Sequence, residues 1–327
     1  MTALPSPTDD HRWLAMAAAL SARGRPLSAP NPAVGCVIVR ENRVVARGWT
    51  QPGGRPHAEA MALASAGPAA CGATIYVSLE PCAHASTRGP ACADLVAAAA
   101  PARVVVGCYD PDPRTAGAGI ARLRAAGIAV DLVPHATCAQ ALAGFLLRTQ
   151  EGRPHVTLKL ALSLDGMIAL ANGQSQWITG PQARAHCHAE RARADAILVG
   201  GGTLRADAPR LDVRLPGLEA RSPARWVLTR GAAPEGWQAV ADITAPGAFG
   251  QTQWLFVEGG AGAAATFLRA DRVDRLLLYR APILLGPGLA AVGDLGLETL
   301  APAHGRWALV EERQLGSDTL SVYDRHR

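Results

Sequence analysis

A histidine and an acid lie two positions apart at His57 and Glu59, and two cysteines, Cys82 and Cys92, follow them in the chain. One imidazole and two thiolates fill three corners of a zinc tetrahedron and leave the fourth corner for water. Zinc lowers the pKa of a bound water towards neutrality, so hydroxide becomes available at pH 7. These four residues therefore predict a zinc centre built for hydrolysis.

Glu59 is the residue of this set that we expect to stay off the metal and to carry a proton. It would take a proton from the zinc-bound water and deliver it to a leaving amine, which is the division of labour in zinc base deaminases. A purely structural zinc site is the alternative, but three ligands and a spare acid fit an open catalytic site better. Hydrolytic deamination is thus the chemistry that this part of the chain predicts.

The composition sets limits on where this chemistry takes place. A length of 327 residues favours two domains over one. The N-terminus lacks a basic segment followed by an apolar one, and no apolar run approaches the length that crosses a bilayer. Seven scattered cysteines argue against a disulfide framework. We therefore expect a cytoplasmic enzyme without a membrane partner.

The charge of the chain bears on its partners. A formal net charge of +5 could indicate nucleic acid, but the basic residues are dispersed and aromatic residues make up only 5%. We expect no nucleic-acid partner and assign some basic residues to a phosphorylated small-molecule substrate. Of the 32 basic residues only Lys159 is a lysine. In such an arginine-rich chain, a surviving lysine indicates a place that needs a compact ammonium group, with chance survival as the alternative.

The hydrophobic pattern predicts the elements that must position the zinc set. Buried strands are predicted at 34–39, 44–46, 74–79 and 104–107, and helices at 10–22, 57 to about 67, 91–100 and 118–126. After the first helix the order is β-β-α-β-α-β-α, which is typical of a three-layer α/β unit. His57 and Cys82 each fall at a predicted helix start, where the helix dipole favours a thiolate. The sequence therefore predicts two helix N-termini that converge on one zinc.

A polar segment at 148–154 is predicted as the boundary between two domains, 1–150 and 151–327. In the second domain, strands are predicted at 156–163, 196–199, 225–229, 254–258, 276–279 and 283–286, and a helix at 182–194. Two of these strands run into glycine clusters at 200–203 and 259–262, which present backbone N–H groups to anions. The two turns predict a dinucleotide phosphate site, with ligand-free tight turns as the alternative. The pattern at Gly260, Gly262 and Ala265 is too loose for a standard Rossmann domain.

Several segments carry a resemblance to a known family. The first half resembles the cytidine/deoxycytidylate deaminase superfamily through 31–39, 57–59 and 80–84. The second half contributes 158–159, 163–166, 175–179, 202–203, 207–209 and 257–260. With both halves in order, the chain resembles the bifunctional riboflavin-biosynthesis deaminase/reductases over nearly its whole length.

The resemblance implies two reactions and two folds. Zinc-dependent hydrolysis would replace the 2-amino group of 2,5-diamino-6-(5-phosphoribosylamino)pyrimidin-4-one by a carbonyl, and NADPH would then reduce the ribosyl group to ribityl. The implied fold class is α/β, with a three-layer cytidine-deaminase-like domain followed by a dihydrofolate-reductase-like α/β domain. One Zn²⁺ per chain and NADPH are the implied cofactors.

The resemblance also implies site residues, position by position. It assigns zinc to His57, Cys82 and Cys92 and the proton shuttle to Glu59. The implied substrate positions are Asn31, His84, Lys159, Ser175, Arg191, Leu211, Arg214 and Glu258, where a loop histidine without a role is the alternative for His84. The implied cofactor positions are Ala161, Trp177, Thr203, Asp207, Arg230, Gly260, Ala261, Gly262, Ala263, Ala264, Ala265 and Thr266. Arg230 is the candidate for selecting the 2′-phosphate of NADPH, with a solvated strand-end arginine as the alternative.

Two features depart from the family pattern. Nine residues separate Cys82 from Cys92, one more than the family has, and the second half is short between 231 and 253. A deaminase with an altered reductase domain is therefore an alternative. A transfer-RNA-type base deaminase is another, but it would show Pro-Cys-x-x-Cys, which is absent. We expect a homo-oligomer, and we interpret His186 and His188 as surface or interface residues.

Overall fold

The computed structural model describes residues 7–84 and 86–327, with side chains from residue 9 onward. Within this part of the chain, no helix has both the length and the apolar character needed to span a lipid bilayer. The chain divides into two compact units, the first ending at Gly152 and the second beginning at Arg153. Each unit is built around its own sheet.

The first unit alternates strands and helices. Its helices are α1 Pro7–Ser21, α2 Ala58–Ala66, α3 Cys92–Ala98, α4 Ala118–Ala125, α5 Ala136–Ala141 and α6 Ala143–Glu151. Its strands are β1 Gly35–Arg40, β2 Arg43–Trp49, β3 Thr74–Val77, β4 Arg103–Val106 and β5 Ala129–Leu132. The sheet order is β2-β1-β3-β4-β5. Strand β1 is antiparallel to β2 and β3, whereas β3, β4 and β5 are parallel.

Both faces of this sheet are buried, which explains why β3 and β4 are continuous apolar runs. On one face, Cys36 and Ile38 of β1 pack in a core that includes Ala62 of α2. On the other face, Val37 packs in a core that includes Leu14 of α1. Helices therefore cover the sheet on both sides, and the predicted three-layer α/β unit is confirmed.

The second unit has a larger sheet and fewer helices. Its helices are α7 Pro181–Arg191, α8 Gly201–Asp207 and α9 Ala261–Arg269. Its strands are β6 His155–Leu162, β7 Met167–Ala169, β8 Ala196–Gly200, β9 Ala224–Leu228, β10 Trp237–Val240, β11 Trp254–Val257, β12 Arg275–Arg280, β13 Leu289–Ala290, β14 Trp307–Leu315 and β15 Asp318–Arg325. The main sheet has the order β10-β9-β8-β11-β6-β12-β15-β14, and β7 pairs with β13. The strands from β10 to β12 in this order are parallel, and the hairpin β14–β15 is antiparallel.

Different helices cover the two faces of the large sheet. Leu158 of β6 packs in a core that includes Phe267 of α9. Ile197 of β8 and Tyr279 of β12 pack in a second core that includes Cys187 of α7. Strands β8 and β11 are parallel neighbours, and helices α8 and α9 begin directly after them. The two glycine turns therefore lie side by side at one edge of the sheet.

The prediction that Cys82 starts a helix is wrong. Residues 81–84 form an irregular loop, and the helix begins at Cys92. The loop does not continue into a helix because tertiary contacts use its polar groups. The Cys82 carbonyl accepts a hydrogen bond from the N–H of Ala93 at 3.1 Å, and its sulfur accepts one from the N–H of Cys92 at 3.3 Å.

The predicted strand at 283–286 is also wrong. This segment is a loop whose N–H groups at Leu285 and Gly286 donate to the carboxylate of Asp165 instead of to a neighbouring strand. The hairpin of β14 and β15 was not predicted from the sequence. Strand β14 is exposed along nearly its whole length, so it lacks the alternating apolar pattern that marks a half-buried strand.

Candidate functional sites

The first unit brings His57, Cys82 and Cys92 together. The Nδ1 atom of His57 lies 3.1 Å from the Cys92 sulfur and 3.6 Å from the Cys82 sulfur. All three donor atoms lie within 4.8 Å of one another. Zinc bonds to nitrogen and sulfur place neighbouring donors of a tetrahedron about 3.6 Å apart. The spacing and the donor chemistry of this cluster therefore fit zinc.

Three different local structures deliver these ligands. His57 is the N-cap of α2, and Cys92 is the first residue of α3. Cys82 comes from the loop after β3, where the N–H of Cys92 donates to its sulfur. Two helix N-termini do converge on the cluster, although the second belongs to Cys92 and not to Cys82. The helix dipole of α3 favours the negative charge of the Cys82 thiolate across this contact.

The two thiols differ in acidity because they share a hydrogen bond. The contact with the Cys92 thiol lowers the pKa of Cys82 to about 4, although burial opposes it. The same hydrogen bond and burial raise the pKa of Cys92 above its usual range. Cys82 is thus the thiolate of the pair. Metal binding would displace the remaining proton, since zinc takes cysteine as thiolate.

Glu59 lies beside the cluster in the first turn of α2 and is only 3% exposed. Burial raises the pKa of its carboxyl group to about 7, with the charge of Cys82 acting in the same direction and that of His57 against it. A group with a pKa near neutrality can both accept and release a proton at pH 7. Helix α2, which carries Glu59, packs tightly against β2, because a Cβ at Gly48 of β2 would lie 2.3 Å from the Ala58 carbonyl oxygen.

Glu80 fixes the loop that carries Cys82. Its carboxylate accepts backbone hydrogen bonds at 3.0 Å from Gly117 and Gly119 and at 3.1 Å from Ile120, where α4 begins. Gly119 allows the close approach, since a Cβ there would lie 2.0 Å from the Pro81 carbonyl oxygen. This role was not predicted from the sequence, because the partners of Glu80 lie 37 to 40 positions further along the chain and donate through backbone N–H groups.

The two substrate residues predicted in this unit have different surroundings. The Asn31 amide donates to the Gly54 carbonyl oxygen at 3.0 Å, so it also holds the turn before α2. The Nδ1 atom of His84 is buried and has no hydrogen-bond partner among residues 9–84 and 86–327. A buried polar atom of this kind usually finds a partner, which a bound molecule can supply.

The second unit contains a cavity of about 760 Å³, a size that suits a cofactor and a small substrate. Most of the predicted positions line it: Lys159, Ala161, Ser175, Trp177, Arg191, Thr203, Asp207, Leu211, Arg214, Glu258, Gly260, Ala261, Gly262 and Ala263. Four predicted cofactor positions are not among its lining residues. Ala264 and Ala265 are buried in the fold, Thr266 donates to the Gly262 carbonyl oxygen, and Arg230 is exposed after β9.

Glu258 is the electrostatic centre of this cavity. Its carboxylate accepts two hydrogen bonds from Arg191, at 2.5 and 2.9 Å, and lies 3.8 Å from the Lys159 ammonium nitrogen. Burial alone would raise the pKa of Glu258, but Lys159 and Arg191 lower it to about 2. The cavity therefore holds a permanent carboxylate beside two cations, and Lys159 and Arg191 both line the cavity.

The glycine turns beside the cavity fit a dinucleotide phosphate. A Cβ at Gly202 or Gly262 would meet no atom within 4 Å, so the backbone there is open to a ligand. The N–H of Gly260 donates to the Thr203 hydroxyl at 3.2 Å, which ties the two turns together. Backbone N–H groups at helix starts bind phosphate, and this is the part of NADPH that the turns would hold.

One face of α7 lines the cavity, and Arg191 is the residue of this face that was predicted from the sequence. Arg184, Cys187, His188 and Arg191 all line it. These residues follow one another at intervals of three, one and three positions, which places them on one face of a helix. This spacing could have been recognised in the sequence. His186 and His188 are both half-buried. His188 lines the cavity and His186 contacts the buried Tyr279, and their interpretation as surface or interface residues stays a prediction.

Known families match both units. Residues 7–108 match the cytidine and deoxycytidylate deaminase zinc-binding region, and residues 154–246 and 248–321 match the RibD C-terminal domain. The riboflavin biosynthesis protein RibD of Escherichia coli is 38% identical, over 94% of this chain and 97% of that protein. The chain belongs to the RibD family. RibD of Mycobacterium tuberculosis is 39% identical, over 89% of this chain and 90% of its own length.

Solved structures agree with this assignment. Acinetobacter baumannii RibD is 34% identical with a TM-score of 0.85, over 98% of this chain and 99% of its own. A Thermotoga maritima diaminohydroxyphosphoribosylaminopyrimidine deaminase/5-amino-6-(5-phosphoribosylamino)uracil reductase is 28% identical with a TM-score of 0.86, over the same shares. The predicted fold class is confirmed. So is the predicted enzyme, a zinc deaminase joined to an NADPH-dependent reductase of riboflavin biosynthesis.

Proposed function

We propose that this chain deaminates 2,5-diamino-6-(5-phosphoribosylamino)pyrimidin-4-one at the zinc cluster and reduces the resulting uracil derivative in the cavity of the second unit. The observation that carries the proposal is the cluster of His57, Cys82 and Cys92 with the buried acid Glu59 beside it. The Thermotoga maritima structure supports this pair of substrates, since that protein carries both activities by name over nearly the same length.

In the deamination, His57, Cys82 and Cys92 would hold the metal, and zinc bound there would supply a water of lowered pKa. Glu59 is the group that would carry the proton: its carboxylate would take one from water and give it to the amino nitrogen, which would leave as ammonia. The oxygen of the new carbonyl comes from water. Burial prepares Glu59 for both steps, because a pKa of about 7 leaves the proton easy to take up and easy to release. Asn31 and His84 are the proposed substrate contacts.

In the reduction, NADPH bound in this cavity would supply the hydride. Lys159 and Arg191 hold the anionic substrate, and Glu258 keeps both cations in place through its hydrogen bonds and charge. Arg214 lies at the same cavity and is the further cation proposed for the substrate phosphate, together with Ser175 and Leu211 as contacts. The predicted cofactor positions that line the cavity would hold NADPH: Ala161, Trp177, Thr203, Asp207, Gly260, Ala261, Gly262 and Ala263.

Two assays test this function. Purified protein with zinc and the diaminopyrimidine should release ammonia without NADPH, and addition of NADPH should give the ribityl product with NADPH oxidation. Ammonia release without NADPH oxidation would support the alternative of an altered reductase domain. The joint presence of Lys159, Arg191 and Glu258 in one cavity argues against that alternative.

We further propose that the protein forms a homo-oligomer through the second unit. Strand β14 is the edge of the eight-stranded sheet, and Leu309 and Val310 on it are 54% and 50% exposed. An exposed edge strand offers backbone groups for pairing with a second copy. Sedimentation of the purified protein should show a dimer or larger assembly, and Val310→Lys should shift it towards the monomer. A wild-type monomer would contradict this proposal.

A further inference from the structure

A buried tyrosine lines the reductase cavity without a role in the chemistry described above. Tyr279 is 1% exposed and lies on β12 opposite Ala161 of β6. Two positions earlier, Leu277 lies opposite Lys159. Alternate residues of a strand share a face, so Tyr279 projects from the face of the sheet that carries Lys159. Its side chain therefore forms part of the wall around the substrate space.

Within residues 9–84 and 86–327, the Tyr279 hydroxyl has one hydrogen-bond partner, His186 of α7, with 2.8 Å between Oη and Nδ1. The other ring nitrogen of His186, Nε2, lies 2.9 Å from a guanidinium nitrogen of Arg313 on β14. A guanidinium group can only donate hydrogen bonds, so Nε2 is the acceptor and carries no proton. Burial lowers the pKa of His186; the charge of Glu190 opposes this shift, and the charge of Arg313 acts in the same direction as burial, so the neutral ring is favoured.

The tautomer of His186 decides what the tyrosine hydroxyl can do. A neutral imidazole without a proton on Nε2 has its proton on Nδ1 and donates to Tyr279 Oη. The hydroxyl oxygen is then an acceptor towards His186, and its own proton is left for a different acceptor. Because Tyr279 lines the cavity, a bound molecule can be that acceptor.

We propose that Tyr279 donates a hydrogen bond to an oxygen of the substrate's ribosyl group, with His186 and Arg313 as positioning residues that fix the direction of its hydroxyl. This inference deepens the proposed function and rests on it. The ribosyl group offers neutral oxygen acceptors, which suit an uncharged donor, whereas Lys159 and Arg191 suit anionic groups. Burial raises the pKa of Tyr279 far above its usual range, so the hydroxyl keeps its proton at any working pH.

The position of Tyr279 favours the substrate over the cofactor as the acceptor. Tyr279 packs in the core that contains Cys187 of α7, and Arg191 of the same helix binds Glu258. Helix α9 follows the glycine turn at which the cofactor phosphate is expected, and its Phe267 packs on the opposite face of the sheet. Tyr279 therefore lies on the face of the sheet that carries the substrate residues, opposite the face covered by α9.

The variant Tyr279→Phe tests the proposal, because it removes the hydroxyl and keeps the ring. We expect the Kd and KM of the ribosylaminouracil phosphate to rise about tenfold, the value of one neutral hydrogen bond. The KM for NADPH and the rate of deamination should not change. Calorimetric binding of this substrate without NADPH gives the Kd independently of turnover.

The matched control is Tyr323→Phe, which changes a half-buried tyrosine of the neighbouring strand β15 that is not among the cavity-lining residues. Tyr323→Phe should change neither the Kd nor the KM of the ribosylaminouracil phosphate. An unchanged Kd in Tyr279→Phe would overturn the proposal, and so would an equal rise in the KM for NADPH. A wild-type protein that does not reduce this substrate would instead refute the proposed function.

Variants of His186 separate positioning from simple packing. His186→Leu should raise the substrate Kd by a similar factor, and His186→Asn, which keeps an N–H donor near the Nδ1 position, should recover most of the affinity. In a Tyr279→Phe background, His186→Leu should cause no further rise, because His186 acts only through the tyrosine hydroxyl. Additive losses in the double variant would contradict the positioning role.

Discussion

Glu59 of the first unit and Glu258 of the second are both buried carboxylic acids, and the two sites give them opposite acidities. Burial dominates at Glu59 and raises its pKa to about 7. At Glu258 the charges of Lys159 and Arg191 outweigh burial and lower the pKa to about 2. The same residue type becomes a proton carrier in one unit and a permanent charge in the other. The comparison shows that the neighbouring cations, and not burial by itself, decide the role of a buried carboxylate.

The largest expected effect is the loss of the metal from the first site alone. Cys92→Ser removes one of three ligands, so zinc and deamination should both be lost, whereas the uracil intermediate should still be reduced when it is supplied. Metal analysis and the two separate assays measure this. Cys71→Ser, at an exposed cysteine outside the cluster, should keep both zinc and activity. Full zinc in Cys92→Ser would show that another residue is the ligand.

The next effect tests the proton carrier without disturbing the metal. Glu59→Gln keeps the shape of the side chain but cannot shuttle a proton, so zinc content should stay normal. Deamination should fall by roughly 10²–10⁴-fold, the usual contribution of general acid–base catalysis. Reduction of supplied intermediate should not change. Near-normal ammonia release from the zinc-loaded variant would mean that a different group carries the proton.

The contrast in acidity also predicts a pH dependence of stability for the second unit. Glu258 has a pKa of about 2 in the folded protein, below the ordinary value of about 4.3 in the unfolded chain. Its contribution, about 3 kcal/mol by linkage, is therefore complete above the ordinary pKa and is lost as the pH falls towards 2. Glu258→Gln should remove this part of the acid sensitivity in chemical unfolding at pH 5 and pH 2.5. Glu298→Gln, at an exposed position, is the control and should unfold like the wild type.

A smaller effect is expected at Lys159, whose variants test whether the carboxylate of Glu258 needs a compact ammonium group beside it. Lys159→Met should reduce the rate of reduction by about 10- to 100-fold, the range for a lost charged hydrogen bond. Lys159→Arg should not recover it, because a planar guanidinium does not replace an ammonium group at a crowded site. Deamination should stay unchanged in both. Arg193→Met, at a cation whose side chain is 56% exposed, should change neither reaction.

The smallest expected effect concerns cofactor choice. If Arg230 contacts the 2′-phosphate, Arg230→Ala should raise the KM for NADPH a few-fold and leave the KM for NADH nearly unchanged, because an exposed charged contact is weak. Arg230 is exposed after β9 and is not among the residues that line the cavity. Equal effects on the two cofactors, or no effect on either, would exclude Arg230 as the selector. Arg269→Ala, on another part of this unit, is a suitable control.

The residue types and short spacings in the sequence predicted most of the chemistry. The donor set of His57, Cys82 and Cys92 and the neighbouring acid Glu59 were recognisable because zinc accepts few donor types and the motifs are local. The rarity of Lys159 in an arginine-rich chain indicated a special position, and the cavity places it beside Glu258. The glycine turns were recognisable for the same reason, because their signal lies within a few consecutive residues.

Contacts between residues that lie far apart in the chain could not be predicted from the sequence. The sequence predicted a helix start at Cys82. In the structure, the carboxylate of Glu80 instead binds the start of α4, 37 to 40 positions away. Cys82 itself accepts hydrogen bonds from the N–H groups of Cys92 and Ala93. The hairpin of β14 and β15 was not predicted because the exposed strand β14 has no alternation of apolar and polar residues. These errors arise where tertiary hydrogen bonds override local preference.

The sequence by itself determined which atoms could bind zinc and carry a proton, because those properties belong to the side chains. Only the tertiary structure decided how acidic these groups are and which way they point. Glu59 and Glu258 differ through neighbours that the chain brings from elsewhere. The orientation of the Tyr279 hydroxyl likewise depends on His186, 93 positions away from it, and on Arg313, which lies 127 positions from His186 in the chain. Charges and hydrogen bonds act through space, so their effects appear only once folding has set the distances.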